Sequence, residues 1–308
     1  MPPSCAYLFP GQGSQFVGMG LSLFESYPVA RDTFAQADEI LGFLLSELCF
    51  DGPAAALNDT LNTQPAILTA SVAAYRVLQK HQPQDPVFVA GHSMGEFSAL
   101  VAAGALSFQD GLSLVRERGR LMKHAGQEQP GGMLAVLGLD RQAVEEACAI
   151  ARMRTGAYVG VANDNCPGQI VISGKLEALE QATSIVEELG ARRVKRLQVS
   201  IAAHTPLMTP AAETFRGHLD ATSVEKPRVP VVTNATASPL TEPPTLRDAL
   251  ASQLTAPVRW TESVAWMAAH GIDRFVEVGP GKVLTGLVRR IVPAAERITT
   301  AAALEEGG

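Results

Sequence analysis

Residues 87–104, Val-Phe-Val-Ala-Gly-His-Ser-Met-Gly-Glu-Phe-Ser-Ala-Leu-Val-Ala-Ala-Gly, limit what this chain can fold into more than any other stretch. Val87 to Ala90 is a short apolar run that reads as a buried strand, and it leads directly into Gly91-His92-Ser93-Met94-Gly95, a G-x-S-x-G pattern. Phe97, Leu100, Val101 and Gly104 then follow at helical spacing. Strand, sharp turn and helix together are the context of a nucleophile elbow, in which two glycines leave room for a strained turn that holds a serine hydroxyl clear of the backbone. A serine there also sits at the positive end of a helix, where free amides can receive an oxyanion. The pattern predicts acyl chemistry at Ser93; by itself, the five-residue motif also fits an ordinary strand-to-helix turn.

At 308 residues the chain can bury a large core in one or two domains. Its 25 basic and 31 acidic residues give a net charge of -6, which provides no basic field for nucleic acid or an anionic membrane. Small or acidic partners are expected. Cys5, Cys49, Cys148 and Cys166 lack the spacing of a disulfide framework or zinc site, so no metal is expected and a reducing cytoplasm fits. The opening Met-Pro-Pro-Ser-Cys has no signal-peptide pattern, and no run is apolar for the length of a membrane span.

Cys5 to Phe9 reads as another apolar strand, ending in the loop Pro10-Gly11-Gln12-Gly13-Ser14-Gln15. The loop lacks a nucleotide fingerprint; it is either a plain tight turn or a device that brings an amide such as that of Gln12 against the elbow. Residues 28–82 read as helical covering without chemistry, with Thr63-Gln64-Pro65 opening the second helix. In the helical run 109–125, Arg118 breaks the pattern: Leu114, Val115, Leu121 and Met122 surround it, while Arg116 and Arg120 take the far face. Its partner is a distant acid or a ligand carboxylate, unless the stem snorkels to the surface.

From Gly131 the predicted order is strand 133–139, helix 141–152, strands 157–161 and 169–173, helix 176–189 and strand 192–199, a ferredoxin-like β-α-β-β-α-β unit. Asn163-Asp164-Asn165-Cys166-Pro167-Gly168 between its middle strands reads as turn chemistry or as a cleft lining. After the unit, Thr205-Pro206 reads as an N-cap and first helical residue, and His204 before it is either the base for Ser93 or a structural histidine. His81, His124, His218 and His270 fall in solvent-facing surroundings, and His92 should point away from its serine neighbour. The last third returns to α/β texture, with strands at 229–233 and 274–278, helices at 245–254 and 264–269, and Gly279-Pro280-Gly281-Lys282 as a tight turn into a closing helix.

Taken together, Phe9-Pro10-Gly11-Gln12-Gly13-Ser14-Gln15, the elbow through Ser98, Arg118 within Arg-Glu-Arg-Gly-Arg, His204, Gln253-Leu254 with Pro257-Val258-Arg259-Trp260, and Glu277 to Lys282 resemble the malonyl-CoA:acyl carrier protein transacylases, the stand-alone bacterial type. The resemblance runs from the first strand to the last helix. It implies an α/β-hydrolase-like catalytic domain with a mostly parallel sheet, residues 1–128 and 198–308, carrying an inserted small ferredoxin-like α+β domain, residues 129–197. It further implies Ser93 as nucleophile, His204 as general base, the amides of Gln12 and Met94 as oxyanion hole, Arg118 as holder of the substrate carboxylate, and the Gln253 backbone carbonyl orienting the histidine. Malonyl-CoA and the phosphopantetheine arm of an acyl carrier protein are the implied partners, with coenzyme A thioester as substrate, no permanently bound cofactor, and a monomer expected. Ile201-Ala202-Ala203 before His204 departs from the patterns of malonyl and methylmalonyl users in modular synthases, so a methylmalonyl-using transferase stands as an alternative. Others are a serine hydrolase or editing thioesterase and a catalytically silent docking module.

Overall fold

The computed structural model describes residues 4–83 and 85–306, so the Met1-Pro2-Pro3 start read above lies outside the described residues. Among the described residues ten strands form two sheets: β1 Cys5–Phe9, β2 Phe88–Gly91, β3 Gly131–Leu137, β4 Val159–Cys166, β5 Gln169–Lys175, β6 Arg193–Arg196, β7 Val231–Val232, β8 Pro239–Leu240, β9 Arg274–Glu277 and β10 Glu296–Thr299. The larger sheet has the order β10-β9-β1-β2-β7-β8 and is parallel except for the β7–β8 hairpin at one edge. The smaller sheet, β4-β5-β3-β6, is antiparallel at every pairing, and the helices Arg141–Thr155 and Leu176–Glu188 interrupt its strands in the expected β-α-β-β-α-β order.

A parallel sheet covered by helices on both faces buries both faces of each central strand, which is why Cys5 to Phe9 is one uninterrupted buried run. The helix Thr60–His81 is buried on nearly every side from Thr63 to Leu78, as a helix apolar all round must be. It begins a turn earlier than expected because Asp59 caps it, accepting the Leu61 N–H at 3.1 Å. Register then fixes the site: Phe9 pairs with Gly91 and Leu8 with Glu277, so the loops after β1, β2 and β9 leave the sheet along one carboxyl edge.

The smaller sheet is tied to this edge by backbone. Asn163 bridges Val258, Val258 N–H donates to Ala162 O at 2.8 Å and Asp164 N–H to Val258 O at 2.9 Å. The stretch 163–166 is therefore the end of β4, carried through bulges at Val161/Asn163 and Asp164/Cys166, and only Pro167-Gly168 turns. The helix Val283–Ile291 does not close the chain, since β10 and the helix Thr300–Glu306 follow. Thr205 and Pro206 take the expected N-cap and first helical positions, of a short 3₁₀ turn Pro206–Met208, but the Thr205 hydroxyl donates to Ala202 O at 2.6 Å and makes no cap bond, and the α-helix starts at Thr209.

Candidate active site

β2 ends at Gly91 and the helix Gly95–Ala102 starts four residues later, which leaves Ser93 at the apex with φ 51°. A Cβ on Gly91 would overlap the Gly95 backbone, and one on Gly95 would overlap the Phe9 carbonyl, so neither position admits a side chain. Left-handed backbone at a non-glycine residue costs on the order of 1–3 kcal/mol and has to be held by its surroundings. Asn234 Oδ1 accepts the Ser93 N–H at 2.7 Å and Gln253 Nε2 donates to the Ser93 carbonyl at 3.0 Å. Asn234 is anchored in turn: its Nδ2 donates to Gly91 O at 2.6 Å and to Glu96 Oε2 at 2.5 Å, and its backbone N–H donates to the same carboxylate oxygen at 2.9 Å. Burial pushes the Glu96 carboxyl up to about 7, against these hydrogen bonds and the Arg118 charge.

His204 reaches the elbow across 111 residues, with Nε2 2.9 Å from Ser93 Oγ. It too has positive φ, 59°. Its Nδ1 lies 2.8 Å from Gln253 O and 3.2 Å from Ala256 O. Carbonyls only accept, so Nδ1 carries the proton and Nε2 presents a lone pair. Burial, reinforced by the Arg118 charge, pulls the imidazole down to about 3, so it is neutral throughout the physiological range.

Arg118 is 1% exposed, which excludes snorkelling. Its Nη1 donates to Gln64 Oε1 at 3.0 Å and Met122 Sδ at 3.2 Å, and its Nη2 to Gln253 Oε1 at 3.0 Å and Ser93 Oγ at 3.1 Å. Nε has no partner, and among the described residues no Asp or Glu forms an ion pair with the group. Burial lowers the guanidinium to about 10, with the Glu96 charge opposing, so it stays protonated. Because a guanidinium has no acceptor, Ser93 Oγ must accept from Arg118, and its own proton is left to donate to His204 Nε2.

A cavity of about 160 Å³ joins Gln12, Ser93, Met94, Arg118 and His204 with Met133, Asn163, Asn165, Leu197 and Val199 of the smaller-sheet region. Gln12 and Met94 line this cavity, and their backbone N–H groups have no acceptor among the described residues. A larger cavity, about 400 Å³ at the Gly279–Lys282 turn, contains none of these groups, so chemistry and not size selects the site. His92 turns away from Ser93, packs on Trp260 and meets Asn165 Oδ1 at 2.8 Å, while burial lowers its pKa. The 163–165 stretch thus lines the cleft. His81, His124, His218 and His270 are exposed.

All six residues expected at the site converge, and four further contributions were not read from the sequence: Gln64, Glu96, Asn234 and the side chain of Gln253. Gln64 corrects the reading of residues 28–82 as covering without chemistry. Its one sequence signal is an amide inside an apolar helical run; it is fully buried there.

Residues 6–305 match the acyl transferase domain family. The chain is 47% identical over 301 residues to the malonyl CoA-acyl carrier protein transacylase of Escherichia coli K12, covering 98% of this chain and 96% of that protein. Among solved structures it is similar to an acyl carrier protein S-malonyltransferase from Vibrio cholerae, with TM-score 0.95, 44% identity and coverage of 99% and 100%. It is likewise similar to a malonyl-transacylase in complex with its type II PKS acyl-carrier protein, with TM-score 0.94, 41% identity and coverage of 98% and 99%.

Proposed function

The chain belongs to the malonyl CoA-acyl carrier protein transacylase family, and from that premise we propose that it moves a malonyl group from coenzyme A to the phosphopantetheine thiol of an acyl carrier protein, in fatty acid or polyketide synthesis. The observation that carries the assignment of roles is the position of Ser93 Oγ, 2.9 Å from His204 Nε2 and 3.1 Å from Arg118 Nη2. His204 Nε2 takes the hydroxyl proton as Ser93 Oγ attacks the thioester carbonyl carbon. The Gln12 and Met94 amides receive the oxyanion, each such donor contributing about 2.7–4 kcal/mol in acyl transfer.

Collapse breaks the carbon–sulfur bond, and coenzyme A leaves with the proton from His204. The carrier thiol then gives its proton to His204 and attacks the malonyl-serine ester, and Ser93 Oγ departs with that proton, which gives ping-pong kinetics. Arg118 pairs with the malonyl carboxylate, and an acyl group without one leaves a buried cation unpaired. Coenzyme A enters as part of the substrate, and every step uses this chain's own side chains and amides. We read residues 1–128 and 198–308 as the catalytic domain and 129–197 as an insert, which the two separate sheets support. Four free, buried cysteines fit a reducing cytoplasm.

Transfer from malonyl-CoA to a purified holo-acyl carrier protein tests the reading. Wild type forms malonyl-carrier, and Ser93→Ala loses more than about 10⁴-fold in rate. Retained transfer by Ser93→Ala would remove Ser93 as nucleophile.

A further inference from the structure

The guanidinium of Arg118 is held by two amide oxygens in a place where proteins ordinarily use carboxylates. Gln64 Oε1 takes one terminal nitrogen and Gln253 Oε1 the other, each at 3.0 Å, and both glutamines are buried, at 0% and 1% exposure. The orientation of each amide is dictated by its neighbours. Arg118 offers only donors, so an oxygen must face it from both sides. On Gln253 the amide nitrogen is then turned to the Ser93 carbonyl at 3.0 Å, and on Gln64 to Met122 Sδ at 3.5 Å.

A carboxylate at either position would hold the arginine in the same place but would also neutralise it, and a buried ion pair resists being opened by a competing anion. An amide oxygen fixes the geometry and leaves the positive charge uncompensated. The remaining contacts of the terminal nitrogens are weak or reactive ones, Met122 Sδ at 3.2 Å and Ser93 Oγ at 3.1 Å, and Nε has none. Among the described residues the acid whose charge acts on Arg118 is Glu96, and its carboxyl is engaged by two Asn234 donors and by the Gln253 side chain.

We propose that the side chains of Gln64 and Gln253 are positioning residues that set the preference for carboxylated acyl donors, by orienting Arg118 from both sides without quenching its charge. The inference rests on the reading of Arg118 as the carboxylate holder. For Gln253 this is a second task, separate from the backbone carbonyl that meets His204 Nδ1.

The experiment compares Gln64→Glu, Gln253→Glu and Arg118→Ala with wild type, measuring kcat and KM for acyl-serine formation from malonyl-CoA and from acetyl-CoA between pH 5 and 8. Each glutamate variant is expected to lose about 100-fold in malonyl kcat/KM relative to acetyl, chiefly through KM, because the introduced carboxylate competes for the guanidinium. The loss should shrink toward pH 5 as that carboxylate takes up a proton. Equal losses with both donors, or a loss that does not vary with pH, would show a merely structural role and overturn the proposal. Circular dichroism identifies the folded variants, and Gln64→Glu carries the test alone if the elbow does not tolerate Gln253→Glu. If Arg118→Ala keeps its malonyl preference, the reading of Arg118 fails. If Arg118→Ala loses the preference while both glutamate variants keep it, only the role of the glutamines fails.

Discussion

Two turns at the same edge of the parallel sheet have the same local plan and opposite outcomes. At each, a buried strand enters a glycine-containing turn and then a helix: β2 through Gly91–Gly95, and β9 through Gly279–Lys282. After β9 the strand supplies its own anion. Glu277, 1% exposed, accepts the Leu284 and Thr285 N–H groups at 3.0 and 2.7 Å and the Thr285 hydroxyl at 2.6 Å, so the helix start is satisfied from within. After β2 the acid of the first helical turn, Glu96, accepts from Asn234, and the Met94 N–H beside the cavity has no acceptor among the described residues. The Gly95, Glu96 and Phe97 N–H groups are taken by the His92, Ser93 and Met94 carbonyls, so what distinguishes this strand-turn-helix is one unpaired turn amide and an apex residue braced from other elements.

Exchanging the fortunes of the two turns tests that contrast, and the largest effect is expected at the brace. Asn234→Ala removes the acceptor of the Ser93 N–H and the side-chain donor to Glu96, leaving only the backbone donor; a nucleophile displaced by about 1 Å costs about 100-fold in transfer rate. Steady-state transfer to the carrier protein measures this, and an unchanged rate would mean that the elbow holds itself. At the other turn, Glu277→Gln should lower stability by about 1–2 kcal/mol in urea unfolding while transfer continues at the wild-type rate. Lost transfer at equal stability would give that turn a role at the site.

The smallest change is expected in the pH profile. With His204 held at about 3, malonyl kcat/KM should show no imidazole limb near the ordinary histidine value of 6.5. Glu96 titrates at about 7, and Glu96→Gln identifies any inflection that belongs to it. A limb near 6.5 that survives Glu96→Gln would mean a solvated base. The same depression has a sign in stability: between 6.5 and about 3 the unfolded chain binds a proton that native His204 refuses, so this group's contribution is full above 6.5 and is lost as pH falls. Glu96 acts in the opposite sense, since its native state holds a proton that the unfolded chain releases above 4.5, and its contribution is lost as pH rises through 7.

The elbow was legible because its geometry is local: strand, two close-packed glycines and helix fall within 18 consecutive residues. Arg118 was legible as an anomaly, a cation on an apolar stripe, but its neighbours in sequence could not name its partner. His204 stood out at a strand-to-helix junction as either base or structural histidine, and only the family resemblance chose between the two, since no local pattern links it to a serine 111 residues away. Gln64 and the Gln253 side chain were hidden because an amide on a helix looks alike whether it faces solvent or a buried guanidinium. Composition misled at Asn163 to Cys166, where turn-forming residues ride in a bulged strand held to Val258. β10 was missed because Glu-Arg-Ile-Thr at a sheet edge has no apolar run to mark it.

The claim on which all of this depends is that Ser93 stores the acyl group until a thiol arrives, and intact-mass spectrometry after addition of malonyl-CoA tests it most directly. The account predicts a single malonyl adduct on Ser93 that persists in buffer, disappears on addition of holo-acyl carrier protein, and never forms on Ser93→Ala. Rapid release of free malonate with no adduct, or an adduct that remains on Ser93→Ala, would contradict it.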